Sequence, residues 1–136
     1  MRPFLIPMGV VVAFGIAGCG SGMSTLGPTP SDQGIVIYMH AGFAGPAQAL
    51  NVDVPDLGNV EGSCSSGAEG EVPSWAHCIS SVKVLPGWSA TVYRDASYQG
   101  PSTTLASDTP NLRDLAGPCD RNSFNDCISS IRVTRK

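Results

Sequence analysis

Charge is scarce in this chain. Asp, Glu, Lys and Arg together make up 14% of its 136 residues, and Lys and Arg nowhere form a run. Without a basic stretch there is no electrostatic footprint for a phosphate backbone, so nucleic acid is not expected as a partner. The shortage also argues against long helices with a solvated polar face. Aromatic residues are few, at 7%, and no apolar run reaches the roughly 20 residues that cross a bilayer as a helix. The usual signs of catalysis are missing as well. No Ser lies in a G-x-S-x-G context, no H-E-x-x-H occurs, and no glycine-rich phosphate loop follows a strand. A reaction run by carboxylates would need Asp95, Asp108 and Asp126 to converge in the fold. The expectation is a protein that is not an enzyme.

Turn-forming residues are abundant instead: 16 Gly and 11 Pro. That balance suits short strands joined by many turns. The formal charge is −3, and without Arg2 the chain carries 7 basic and 11 acidic residues.

Arg2 is followed by an almost purely apolar stretch, Phe4 to Ile16, too short to span a bilayer and of the size of a signal-peptide core. It runs into Ile16-Ala17-Gly18-Cys19, which resembles the lipobox of bacterial lipoproteins: a branched apolar residue, two small residues, then Cys. The resemblance implies that residues 1–18 are a signal peptide and that Cys19 becomes the lipid-bearing N-terminus, with the membrane as a partner through that lipid. Gly20 after the Cys favours the outer membrane or cell surface. Residues 19–33 are small, polar and broken by Pro, and read as a tether.

The remainder, 34–136, repeats itself. Shifted by 55 positions, Tyr38, Phe43, Gly45, Pro46, Leu50, Asp53, Pro55, Leu57 and Cys64 fall on Tyr93, Tyr98, Gly100, Pro101, Leu105, Asp108, Pro110, Leu112 and Cys119. After a six-residue insertion in the first copy, Trp75-x-x-Cys78-Ile-Ser80-Ser81-Val-Lys-Val84 matches Phe124-x-x-Cys127-Ile-Ser129-Ser130-Ile-Arg-Val133. Two copies follow, at about 34–85 and 89–135. Ile35–Tyr38, Ala90–Tyr93, Ile79–Val84 and Ile128–Val133 read as strands, with Lys83 and Arg132 alternating outward. Gly45 and Gly100 stand where a positive φ is needed. Pro55-Asp-Leu and Pro110-Asn-Leu each open at most one helical turn. Trp75, Phe124 and Trp88 are expected in the core, and His40 in a surface turn.

An aromatic, four residues, an aromatic, one residue and Gly occur in both copies (Tyr38…Phe43…Gly45 and Tyr93…Tyr98…Gly100). The second copy adds Asn125-Asp126-Cys-Ile-Ser129-Ser130. Both features resemble βγ-crystallin motifs, the latter the N/D-N/D-x-x-S/T-S calcium motif of microbial members. The resemblance covers about residues 34–135. It implies an all-β, βγ-crystallin-like sandwich of two four-stranded Greek-key motifs.

Apart from Cys19, four cysteines remain, an even number suited to an oxidising compartment. Three pairings are possible. The repeat makes Cys64 equivalent to Cys119 and Cys78 to Cys127, so the simplest framework is Cys64–Cys78 and Cys119–Cys127, although bridges between the copies also satisfy the symmetry. Zinc is suggested only by His77 beside Cys78, and no C-x-x-C or H-x-x-x-H spacing supports it.

The resemblance also implies cation sites shared between the copies. One would use the Asp126 carboxylate and the Ser80 hydroxyl, with backbone carbonyls from Asn125 and from near Arg94. The other would use His77 and Ser129, and there the first copy departs from the pattern. It reads Ala76-His77 where oxygen donors are expected, and an imidazole is a poor calcium ligand. Asn125-Asp126 can equally shape a turn, with Ser80 and Ser129 bonding locally. The expectation is weak calcium binding at one site and a structural or protective role in the cell envelope. The alternative is a proteinase inhibitor of the same fold, with the segment SSGAEGEVPSW (65–75), which holds the six-residue insertion, as an exposed reactive loop.

Overall fold

The computed structural model describes residues 33–64 and 69–136. Cys19, the expected signal peptide, the tether up to residue 32 and residues 65–68 of the insertion lie outside the described residues.

Seven strands are present: β1 (Ile35–His40), β2 (Ala44–Leu50), β3 (Glu61–Cys64), β4 (Ser81–Val84), β5 (Trp88–Asp95), β6 (Gln99–Leu105) and β7 (Ser130–Arg135). Six of them form two antiparallel three-stranded sheets, ordered β2-β1-β4 and β6-β5-β7, and β3 stands outside both, bridged to Ser74. The two sheets are built alike. Tyr38 pairs with Ala47 and Ser81 in one, and Tyr93 with Ser102 and Ser130 in the other.

Each aromatic hairpin is pinned by the second serine of the Ser-Ser pair. Ser81 Oγ donates to the His40 carbonyl at 2.6 Å and accepts from Phe43 N at 3.0 Å. Ser130 Oγ does the same with Asp95 O (2.6 Å) and Tyr98 N (3.0 Å). Both serines are fully buried, so these bonds satisfy groups that water cannot reach. The aromatic pairs Tyr38–Phe43 and Tyr93–Tyr98 meet edge-on at 5.6 and 5.7 Å, capped by Lys83 and Arg132. Gly45 and Gly100 take φ of 77° and 76°, and a Cβ there would meet the His40 ring or the Asp95 carboxyl.

The expected four-stranded sheets take a particular form. The fourth segment of each sheet is reduced to a single bridge and comes from the other copy. Thr109 of the second copy pairs with Val82 of β4, and Val54 of the first copy pairs with Ile131 of β7. Each bridge has two backbone hydrogen bonds of 2.8–3.0 Å. A repeated aspartate ties each exchanged segment down: Asp108 Oδ1 accepts from Val84 N at 2.9 Å, and Asp53 Oδ1 from Val133 N at 2.8 Å. These two carboxylates therefore help to hold the copies together.

The expected single helical turns are 3-10 turns at Leu57–Asn59 and Leu112–Asp114, opened by Asp56 and Asn111 side-chain caps. A further short turn at Asp120–Asn122 exists only in the second copy among the described residues and was not expected. The core lies between the sheets, around Ile35, Ile37, Leu57, Ile79, Val82, Val92, Leu112, Ile128 and Ile131, with Trp75 and Phe124 as equivalent plugs. Trp88 only packs against its margin. The bridges Cys64–Cys78 and Cys119–Cys127 each close within one copy, spanning 14 and 8 positions.

Candidate inter-copy cation site

The first serines of the two Ser-Ser pairs are placed at the seam between the copies. Ser80 N donates to Tyr38 O at 2.9 Å, and the Ser80 carbonyl accepts from Leu112 N of the other copy at 2.9 Å. Ser129 repeats this with Tyr93 O (2.9 Å) and Leu57 N (2.8 Å). The residue that leads into each Cys-Ile-Ser-Ser run then crosses the seam. Asp126 N donates to Ile79 O and His77 N to Ile128 O, both at 3.1 Å. Both residues adopt the left-handed region, Asp126 at φ 53° and His77 at φ 59°. Asp and His tolerate that region better than branched residues do.

This frame sets two equivalent side-chain pairs. On one side the Ser80 hydroxyl donates to Asp126 Oδ1 at 3.2 Å, across 46 positions of sequence. The buried Asn125 amide donates to Asp126 Oδ2 at 2.7 Å and steadies the carboxylate. On the other side His77 Nε2 lies 2.7 Å from Ser129 Oγ. Five of the six expected site residues thus come together as two pairs plus Asn125.

Arg94 is placed differently from the expectation. It does not share the Asp126–Ser80 cleft. That cleft, of about 910 Å³, takes its hairpin backbone from Met39, His40 and Ala41, while Arg94 lines a separate depression of about 240 Å³ with His77, Asp95 and Asp126. The reason is the register: Ser80 sits beside Tyr38, so the next hairpin residue is Met39, whereas Arg94 follows Tyr93 beside Ser129. Sequence reasoning also missed Glu71, Asn111 and Arg113, which line the larger cleft. Asn111 and Arg113 are carried there by the Leu112–Ser80 hydrogen bond, which has no local sequence signal.

Calcium takes six to eight oxygens. A carboxylate and a hydroxyl already converging on an open, polar cleft fit that demand, and hairpin and Asn125 carbonyls are the further candidates. The His77–Ser129 pair does not fit, because it offers a ring nitrogen in place of an oxygen. No cluster of three or more His, Cys, Asp or Glu suited to a metal ion exists among the described residues. Asp95 and Asp126 do share the smaller depression, whereas Asp108 is committed to Val84.

No protein-family model matches the sequence, and no curated protein matches it in sequence comparison. Solved structures do. A βγ-crystallin domain from Flavobacterium johnsoniae is 26% identical, with a TM-score of 0.55, over 74% of this chain and 93% of that one. The βγ-crystallin from Ciona intestinalis is 24% identical, with a TM-score of 0.53, over 74% of this chain and 99% of that one. A clostrillin double mutant in complex with nickel is 21% identical, with a TM-score of 0.54, over 74% of this chain and 97% of that one. The described residues form a βγ-crystallin-like domain. This agrees with the resemblance drawn from the aromatic hairpins and the serine motif.

Proposed function

We propose that the chain is a non-enzymatic, lipid-anchored envelope protein whose βγ-crystallin-like domain binds one calcium ion weakly. The convergence of Asp126 and Ser80 on an open cleft carries the calcium part of this reading. Asp126 would supply the charge, Ser80 a neutral oxygen, and the Asn125 amide would keep the carboxylate aimed. A bound cation would join a residue of one copy to a residue of the other and so tighten the seam, in keeping with a structural or protective role. Calcium titration of the full chain by calorimetry tests it, with one site per chain expected; no heat at millimolar calcium would end the reading. The anchor rests on Ile16-Ala-Gly-Cys19. Mass spectrometry of the native protein should find a lipid on Cys19, lost in Cys19→Ser, and an unmodified N-terminus elsewhere would refute it.

One observation favours a second reading, proteinase inhibition. Within the insertion Val72 is 72% exposed, next to Pro73, on a segment tied at its base by the Cys64–Cys78 bridge. An apolar side chain offered on a braced loop suits a protease subsite. Inhibition of a protease panel that disappears with Val72→Asp would support it, and absence of inhibition would dismiss it.

A further inference from the structure

We propose that His77 and Ser129 form a metal-independent latch between the two copies, standing where the fold repeats its cation position. The seam is then clasped by a side-chain hydrogen bond at one pole, and by a cation only at the other. The statement about the cation rests on the calcium reading above; the latch does not.

Two observations carry the latch. The first is geometric. The 2.7 Å separation of Nε2 and Oγ is that of a well-formed hydrogen bond, and it joins residues 52 positions apart on different copies. Its backbone frame is the same as that of Asp126, down to the left-handed φ and the 3.1 Å bond from the amide to the opposite copy. The imidazole therefore reaches the place where an equivalent carboxylate would reach.

The second is chemical. Ser129 is 7% exposed, so its hydroxyl needs a partner inside the protein. A hydroxyl both donates and accepts, and a neutral imidazole has one nitrogen of each kind. Either tautomer of His77 completes the bond, with Nε2 accepting from the hydroxyl or Nε2–H donating to it. The other ring nitrogen of His77, an exposed residue, is left to water. At the other pole the Ser80–Asp126 contact is longer, at 3.2 Å, and involves an exposed carboxylate with lone pairs to spare.

The test is a double-mutant cycle on the full chain in chelator, with His77→Ala, Ser129→Ala and the pair. Each single change should lower the melting temperature by about 4–8 °C, the shift expected for loss of one hydrogen bond in a domain of this size. The double variant should fall little below either single one. Additive losses overturn the latch. Ser129→Thr keeps the hydroxyl and should hold the wild-type melting temperature within about 2 °C, which guards against reading general disruption as loss of the bond; a fall as large as that of Ser129→Ala also overturns it. Calcium titration adds a second readout. Ser129→Ala should leave the affinity within about twofold, and loss of binding would make Ser129 a cation ligand and refute the proposal. If the wild type takes up no calcium at all, the calcium reading fails alone, and the cycle in chelator still decides the latch.

Discussion

The two copies make the same turn at the seam and fill it with different chemistry. His77 and Asp126 share φ, amide partner and distance to the opposite copy, and both reach a serine hydroxyl across the seam. Both side chains are exposed, but one pair joins an imidazole to a buried serine and the other a carboxylate to a half-buried one. Behind the seam the copies stay alike: Ser81 and Ser130 pin the hairpins, and Asp53 and Asp108 anchor the exchanged segments. The difference teaches that the scaffold is held by the second serine and the aspartate of each copy. The first serine and its partner are then free to diverge, because backbone geometry at the seam does not depend on what they bind.

The comparison can be broken most severely at the bridges. Removing Cys64–Cys78 should cost about 3 kcal/mol and removing Cys119–Cys127 about 2.5 kcal/mol, from the entropy of closing the longer and the shorter loop. By calorimetry each paired Cys→Ser variant should melt well over 10 °C lower. Nearly equal losses would confirm that the copies lean equally on their bridges. Peptide mapping without reductant should show these two linkages and no free thiol.

Somewhat smaller effects should come from the pins. Ser81→Ala and Ser130→Ala each remove a buried hydroxyl that bonds one hairpin carbonyl and one hairpin amide, at about 1–3 kcal/mol. Equal shifts in chemical denaturation are expected from the two, since both serines make the same pair of bonds. A large gap between them would show that one hairpin is stabilised in some other way.

Calcium should separate the copies where the pins do not. Extracellular modules bind with constants near 10⁻⁴–10⁻³ M, and at about ten times that concentration binding adds roughly 1.4 kcal/mol. The melting temperature should rise by about 5–10 °C in calcium. Asp126→Ala should abolish the rise, and Ser80→Ala should reduce it. A turn-only role for Asp126 predicts instead a destabilisation that is the same with and without calcium.

The smallest expected effect is also the most pointed. His77→Asp restores an oxygen donor at the closed pole while Arg94 remains. Binding there should be weaker than at Asp126, visible as a second, low-affinity step in calorimetry. A stoichiometry unchanged at millimolar calcium would mean that a carboxylate at position 77 is not enough to rebuild a site.

Much of this molecule could be read before any coordinates. The spacing of Tyr38, Phe43 and Gly45 against Tyr93, Tyr98 and Gly100 announced paired hairpins, and the matched cysteines favoured the pairing that is present. Those are local or copy-to-copy features, and a duplicated chain displays them as registered identities. The role of Asp53 and Asp108 was not legible, though both were seen to repeat, because their partners lie 80 and 24 positions away. Arg94 was expected in the cleft of Ser80 and lines instead the depression of His77, Asp95 and Asp126, for a related reason. In a duplicated sequence Met39 and Arg94 are equivalent, so nothing in the register of the repeat says which of them neighbours Ser80.

The number of copies, the strand and turn residues of each, and the departure at His77 are written in the residues themselves. Alternation, turn chemistry and donor type are properties of neighbouring residues, which short-range physics governs. The folded chain alone shows that the fourth segments are exchanged, with Val54 going to β7 and Thr109 to β4. It alone decided that His77 meets Ser129 while Asp126 meets Ser80. Two equivalent copies offer each strand the same choice of partner within its own copy or across the seam. The choice is settled by the packing of a shared core between the two sheets, which no local pattern encodes.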